Sequence, residues 1–466
     1  MFTYKINTYT YLLILMLLTL FSVSSSFGES ESRDNASTPE IKVAIGLDLM
    51  DVKIALPSGG KIFDSVKNRE ELKIEKASNL SFRYENNGKF SSSELKGLYS
   101  DIRIIPGPKS HFKFKGNGYR GYLRIISKPT GIWVINHVDI EEYLYGVVPY
   151  EIPMSWNMEA IKAQAVAART YAVRGLGQYP HGDFDVYDSV KDQVYGGIEG
   201  EHERAIQAVE ATRGIILTYQ GWPILAYYHA DAGGQTEDGK FIFPDNDFPY
   251  LSSVPSKDNL EKHRWNFTMK KSELESLLKK SKRDVGTLNS IEVCDVSPSG
   301  RPLTIRITGS KGKIDISSRD FRRMIGSGRI RSTLFAISTH DNESSSLNFS
   351  GNIRILSPDL NNGSLRVMSS AGIKNGQEKN ISVITSAGIS NWDLKSILII
   401  STSRGDVYTP KIEKKLTQDE ILFSGSGFGH GVGLSQWGAK AYADDGWDYR
   451  QILSHYYREA ELSVWY

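Results

Sequence analysis

Cysteine is nearly absent: the 466-residue chain holds one, Cys294. A single cysteine forms no internal disulfide and builds no cysteine-ligated zinc site. Its setting, "IEVCDV", alternates apolar with polar residues, the pattern of a packed strand position rather than of a reactive thiol. An excess of charge of one sign is missing too. Lys plus Arg number 56 and Asp plus Glu 54, a net of +2, which speaks against a nucleic-acid-binding or polybasic membrane protein. Long apolar runs are also lacking, except at the start. There "MFTYKINTYTYLLILMLLTLFSVSSSFGES" carries Lys5 ahead of an apolar stretch from Tyr11 to Val23, with Ser26 and Gly28 just before Glu29. This reads as a secretory signal peptide over residues 1–28, its apolar part shorter than the ~20 residues of a spanning helix. Export to the periplasm or cell envelope is expected, with membrane attachment only through this segment if it is retained. No cysteine follows the run, so a lipoprotein anchor is excluded there.

What is present divides into regions. Residues 29–40, "ESESRDNASTPE", read as a flexible polar leader. Residues 41–130 carry short alternating runs punctuated by glycine and asparagine, such as "IKVAIGLDL" and "FKFKGNGYRGYLRII", and read as β-rich. "DIEEYLYG" predicts a small helix, with Asp139 and Glu142 at capping-box spacing and Gly146 at its end. "VVP" is expected to be extended, and Pro149 and Pro153 restrict a loop holding Glu151. A helix is expected from Ser155 or Asn157 to Gly175, with Met158, Ile161, Ala165, Ala168 and Ala172 as its buried stripe. Arg169 falls on the shoulder of that stripe, a poor place for a charge without a partner. "EHERAIQAVEATRG" predicts a second helix ending at Gly214. Hairpins are expected at Gln220–Gly221 and in "PSGRPLTIRITGSKGKIDI". Residues 336–420 are Ser/Asn/Gly-rich and β-like, and Asp448 with Gln451 starts a last helix.

Three places carry chemistry. "GSGFGHGVG" offers no G-x-G-x-x-G register and no G-K-[ST], so neither a dinucleotide site nor a P-loop is supported. It does place His430 between glycines, where backbone can approach a ligand closely. His229, in "LAYYHADAGG", reads either as a packed strand histidine or as one at the edge of a cleft. Tyr227 and Tyr228 point to opposite faces, so at most one joins such a cleft. Glu151 sits among Val147, Val148, Ile152 and two prolines, which desolvate a carboxylate and raise its pKa, as a general acid at neutral pH requires. Clusters of this kind can also be structural.

The stretches "VVPYEIPMSWNMEAIKAQAVAARTYAV", "QVYGGIEGEHERAIQAVEATRGIILTYQGWPILAYYHADAGGQTE", "RIRSTLF" and "GHGVGLSQWGAKAYADDGWDYRQILSHYY" resemble the SpoIID/LytB family of bacterial cell-wall proteins, in family order. The resemblance runs from residue 131 to 466, loosely over 336–420, and leaves 41–130 uncovered. It implies a peptidoglycan lytic transglycosylase that cuts glycan strands stripped of stem peptides and leaves 1,6-anhydro ends. It places the catalytic glutamate on Glu151 and a cleft arginine on Arg169. Gln193, Tyr195, His229, Thr236, His430 and Gln436 fall in the other shared stretches as substrate-binding candidates. Some members bind zinc through His and Cys in the segment matching "YDSVKDQVYGG". Here Ser189, Val190 and Lys191 stand instead, so no metal and no cofactor is expected, although His181 and Asp188 remain conceivable ligands.

Glycosidases commonly use two carboxylates, whereas an intramolecular attack by the muramyl 6-hydroxyl needs one acid. Arg169 is then expected to orient sugar or lactyl groups, and Glu151, Arg169 and His430 to line one open groove. The alternatives are a non-catalytic wall-binding activator of an N-acetylmuramoyl-L-alanine amidase and an ordinary hydrolase. The hydrolase would want a second cleft carboxylate, and Glu159 reads as solvated. The expected fold is α+β, a bent antiparallel sheet packed with the alanine-rich helix, plus β-rich N-terminal and inserted regions. The expected partners are peptidoglycan strands and, in the activator reading, a cell-wall amidase.

Overall fold

The computed structural model describes residues 38–85, 88–179, 182–243, 248–258, 262–340 and 416–466, with the backbone of six strands between 365 and 410. The signal segment 1–28, most of the leader 29–40, His181 and the side chains of 341–415 lie outside the described residues.

Alternation builds the N-terminal half. In strand Asp51–Leu56, Val52, Ile54 and Leu56 are buried while Asp51 and Lys53 face water, the period of a half-buried strand. This strand sits in a six-stranded sheet with Ser78–Glu85 and Phe112–Phe114. A second sheet has seven strands, and Gly131–Asp139 lies between Glu40–Leu49 and Tyr122–Lys128. Its burial is nearly continuous, the pattern of a strand covered on both faces. Residues on either side of the expected boundary at 130/131 therefore share one sheet.

Asp139 ends that strand and caps the helix Ile140–Tyr145, accepting from the backbone N–H of Glu141 and Glu142 at 2.8 and 3.3 Å. Glu142 lies near Arg120, 3.7 Å away. Next, Val148–Glu151 is a helical turn rather than the extended piece expected from "VVP". Pro149 causes this, because a proline in a first turn loses no needed donor and already has helical φ. Glu151 is thus the last residue of a turn.

The alanine-rich helix runs Met158–Gly175, with Asn157 as its cap. Ile161, Ala165, Ala168 and Ala172 are buried as expected, but so are Ala160, Ala163, Val166 and Ala167. A single stripe is too narrow a description, because other elements close around the helix. Ile140–Tyr145, Glu203–Ala211, Gln436–Asp444 and Tyr449–Tyr456 pack against it, as does strand Ile215–Tyr219. That strand is the centre of a three-stranded antiparallel sheet with Trp222–Pro223 and Glu461–Val464. Alanine allows the crowding, since each small side chain lets a neighbour approach. The class is α+β.

The hairpin at Gln220–Gly221 forms, both residues with positive φ, the requirement of a tight two-residue turn. So does the one joining Pro302–Gly309 to Gly312–Ser317. The latter belongs to a separate core of Phe321, Phe335, Phe423, Ile305 and Ile307. Strands Arg264–Lys270 and Phe335–Thr339 flank Glu420–Ser426 there. Cys294 sits on strand Leu288–Val296, partly exposed. Among the described residues no helix is long and apolar enough to cross a membrane.

Candidate active site

Glu151 is held from two sides. The Tyr228 hydroxyl donates to Oε1 at 3.1 Å, and Gln436 Nε2 reaches Oε2 at 3.4 Å. Burial pushes the carboxyl above its ordinary range, and these two donors only partly offset it. No other carboxylate contributes to that shift. Desolvation is therefore what sets this acid apart.

Behind it runs a chain of hydrogen bonds. Gln193 Nε2 donates to the Tyr228 hydroxyl at 3.0 Å, and the Tyr143 hydroxyl donates to Gln193 Oε1 at 3.2 Å. On the other side Gln436 Nε2 also reaches Gln164 Oε1 at 3.4 Å. Gln164 Nε2 is buried with no partner among the described residues. A chain of this sort fixes the rotamer of the carboxyl.

Distant segments meet here through glycine. Tyr228–His229 pairs in parallel with Leu434–Ser435, which delivers Gln436 to Glu151. Gly433, at φ +75°, lies so close that a Cβ would come 2.0 Å from the Tyr227 carbonyl. Gly429 and Gly433 thus admit the Tyr227–His229 stretch of the chain itself, and Gly431 admits the Arg301 side chain. Ser435 caps the following helix and donates to Asp258. Asp231, pushed up to about 8 by burial and then by Asp258, meets His263 at 2.6 Å.

The two histidines stand together, rings 5.4 Å apart. His229 Nδ1 lies 3.1 Å from the Val432 carbonyl, and its buried Nε2 has no partner. His430 Nδ1 accepts from the Val432 N–H at 3.0 Å. Burial holds His430 down at about 4 and His229 well below the usual range. Both are neutral at pH 7, suited to hydrogen bonding rather than to charge.

Three candidates belong to the interior. Arg169 is fully buried and does not line a groove with Glu151 and His430. Its Nε and Nη2 donate to Glu141 at 3.0 and 2.7 Å, and its remaining donors take Thr212 and the Val209 and Ile215 carbonyls. Every nitrogen is used, so none is left for a sugar. The partner that its shoulder position demanded is Glu141, which also accepts from the Gly214 N–H. Tyr195 is buried, donating to Asn136 at 3.1 Å and packing on Tyr143. Thr236 exchanges two hydrogen bonds with the Val254 backbone. Both hold loops in place. Gln193 and Gln436 do join the Glu151 network.

Sequence reading missed Gln164 and Tyr143, and left Tyr228 unassigned. Gln164 had a signal: it is a polar residue set among Ala160, Ala163, Ala165, Ala167 and Ala168. Among the described residues no group of three or more His, Cys, Asp or Glu could hold a metal.

The description "Stage II sporulation protein", SpoIID, matches residues 128–219, which include Glu151, Arg169, Gln193 and Tyr195. A domain of unknown function, DUF8618, matches residues 247–352. An uncharacterized protein of Brachyspira hyodysenteriae is 28% identical over 371 residues, 78% of this chain and 77% of its own. The amidase enhancer of Bacillus subtilis is 29% identical over 384 residues, 81% of this chain but 49% of its own length. Stage II sporulation protein D of Bacillus subtilis is 25% identical over 344 residues, 71% of this chain and 76% of its own. Residues 128–219, the part of the chain that carries the buried acid, match the SpoIID family.

Proposed function

We propose that the chain is a lytic transglycosylase of the cell wall, cutting the MurNAc–GlcNAc bond of glycan strands that have lost their stem peptides. The family and the names of its relatives support a cell-wall role. The observation that carries the finer reading is Glu151 itself: one desolvated carboxyl, raised in pKa and held by Tyr228 and Gln436.

In this mechanism protonated Glu151 gives its proton to the leaving glycosidic oxygen as the C1–O bond breaks. The muramyl 6-hydroxyl then bonds to C1 and passes its proton back to the Glu151 carboxylate, so no water is consumed. Intramolecular attack of this kind reaches effective molarities of about 10⁵ M or more. Tyr228 and Gln436 favour the carboxylate form and so stabilise it midway. Glu159 does not supply a second acid, because it receives Lys162 and the Tyr449 N–H.

The relative named amidase enhancer supports a second reading, a non-catalytic partner of an amidase. Mass spectrometry of peptide-free strands incubated with residues 29–466 separates the possibilities. Fragments ending in 1,6-anhydro muramic acid are expected. Reducing ends would make it a hydrolase, and intact strands would favour the non-catalytic reading. Export through the N-terminal segment, giving a periplasmic or envelope location, is part of the proposal.

A further inference from the structure

Arg174 closes the last turn of the alanine-rich helix as a half-buried cation. In contrast to Arg169, it makes no hydrogen bond or ion pair among the described residues. It lines a cavity of about 200 Å³ walled by Tyr171, Tyr179 and Tyr227, with Gln178 and Asp192.

The acidic groups of this cavity are already engaged. Asp192 accepts from the hydroxyls of Tyr171 and Tyr179 at 3.1 and 3.2 Å and from the Tyr187 N–H at 2.8 Å. Asp185 accepts from the backbone of Gly177 and Lys42, both at 2.9 Å, and pairs with the Lys42 ammonium at 3.5 Å. Arg174 is the cation among the residues that line the cavity, and its donors are the ones not already engaged among the described residues. The negative end of the helix dipole favours a cation at this place, which retains the guanidinium there without occupying its donors.

The cavity adjoins the acid in a definite way. Tyr227 lines it, while the next residue, Tyr228, donates to Glu151. Asp192 lines it, while the next residue, Gln193, donates to Tyr228. Neighbouring Cα atoms are about 3.8 Å apart, so cavity and acid are built on the same two stretches of chain. Tyr227 also stands 5.8 Å from the His430 ring and 6.3 Å from Tyr171.

We propose that this cavity is a subsite for a carboxylate-bearing sugar, with its ring against the tyrosines and its carboxylate on Arg174. The inference rests on the reading of the chain as an enzyme of peptide-free glycan. Amide hydrolysis that removes a stem peptide converts a neutral lactyl amide into a free lactyl carboxylate. A guanidinium fork gives two charge-assisted hydrogen bonds to a carboxylate and far less to an amide. Arg174 therefore reads whether a strand has already been through an amidase.

The test is calorimetric binding to the full chain carrying Glu151→Gln, which cannot cleave. The probes are peptide-free strands and the same strands with their lactyl carboxylates converted to methyl amides. Carboxylate strands are expected to bind about tenfold more tightly, the scale of one charged hydrogen-bonded contact. Arg174→Gln removes that preference and leaves the methyl amide strands unchanged, and Arg174→Lys restores part of it. Equal affinity for both strands, a preference that survives Arg174→Gln, or binding of neither strand overturns the proposal. Because a non-cleaving variant is read, failure of the wild-type chain to cleave would defeat the enzymatic reading while leaving the binding preference measurable.

Discussion

Glu151→Gln is expected to lose a factor of about 10² or more in strand cleavage, the typical contribution of a positioned general acid. The amide keeps the size and the acceptor for Tyr228 but has no proton for the leaving oxygen. Strand binding should persist, since the groups around Glu151 stay in place. The pH profile supplies the second half of the result. Glu151 must be protonated to act, so activity is present below its raised pKa and lost as pH rises through it. Stability follows the same sign. With the folded pKa above the unfolded value, the native state holds more protons between the two, and stability declines as pH climbs through that window. Cleavage rates from pH 4 to 9, with a urea midpoint at each pH, check both. Undiminished cleavage by Glu151→Gln would remove Glu151 from the chemistry.

The second large effect concerns stability. Arg169→Met should destabilise the chain by about 3–5 kcal/mol, the cost of leaving a buried ion without its partner. Glu141 would remain enclosed, its charge no longer met by the fully buried guanidinium. Pairing the change with Glu141→Gln should recover part of the loss, because the stranded charge is then gone. Urea unfolding of the two variants measures this directly. A variant that keeps its stability but binds glycan poorly would return Arg169 to the groove, against the closed network it occupies here.

Elements written locally were legible. The Asp139 and Asn157 caps, the Gln220–Gly221 turn and the terminal capping box at Asp448 and Gln451 all form. Each depends on residues within a few positions of one another. The seat of Glu151 was legible for the same reason, since Val147, Val148 and Ile152 are its neighbours in sequence. Its partners were not. Tyr228 and Gln436 reach it through the pairing of Tyr228–His229 with Leu434–Ser435, which no local pattern encodes. Arg169 raised the right question, a charge on a buried face. The answer lay in "DIEEYLYG", where Glu141 reads as one more helix-starting acid until the fold turns it inward.

The strand pair at the edge of the second core has an architectural consequence. Thr339 and Ile421 stand opposite each other in antiparallel register, so the chain departs after one and returns before the other at nearly the same point. Whatever is threaded between them adds length without changing the alignment of the strands it interrupts. A loop closed at such a point costs only logarithmically in its length. Between Thr339 and Ile421, homologous chains are thus free to differ in length while the acid, its tyrosine and its glutamine keep their places. Joining residue 340 to 416 is expected to yield a shorter protein whose thermal unfolding midpoint and strand cleavage match those of the parent. A collapse of either would mean that the segment is a strut rather than an attachment.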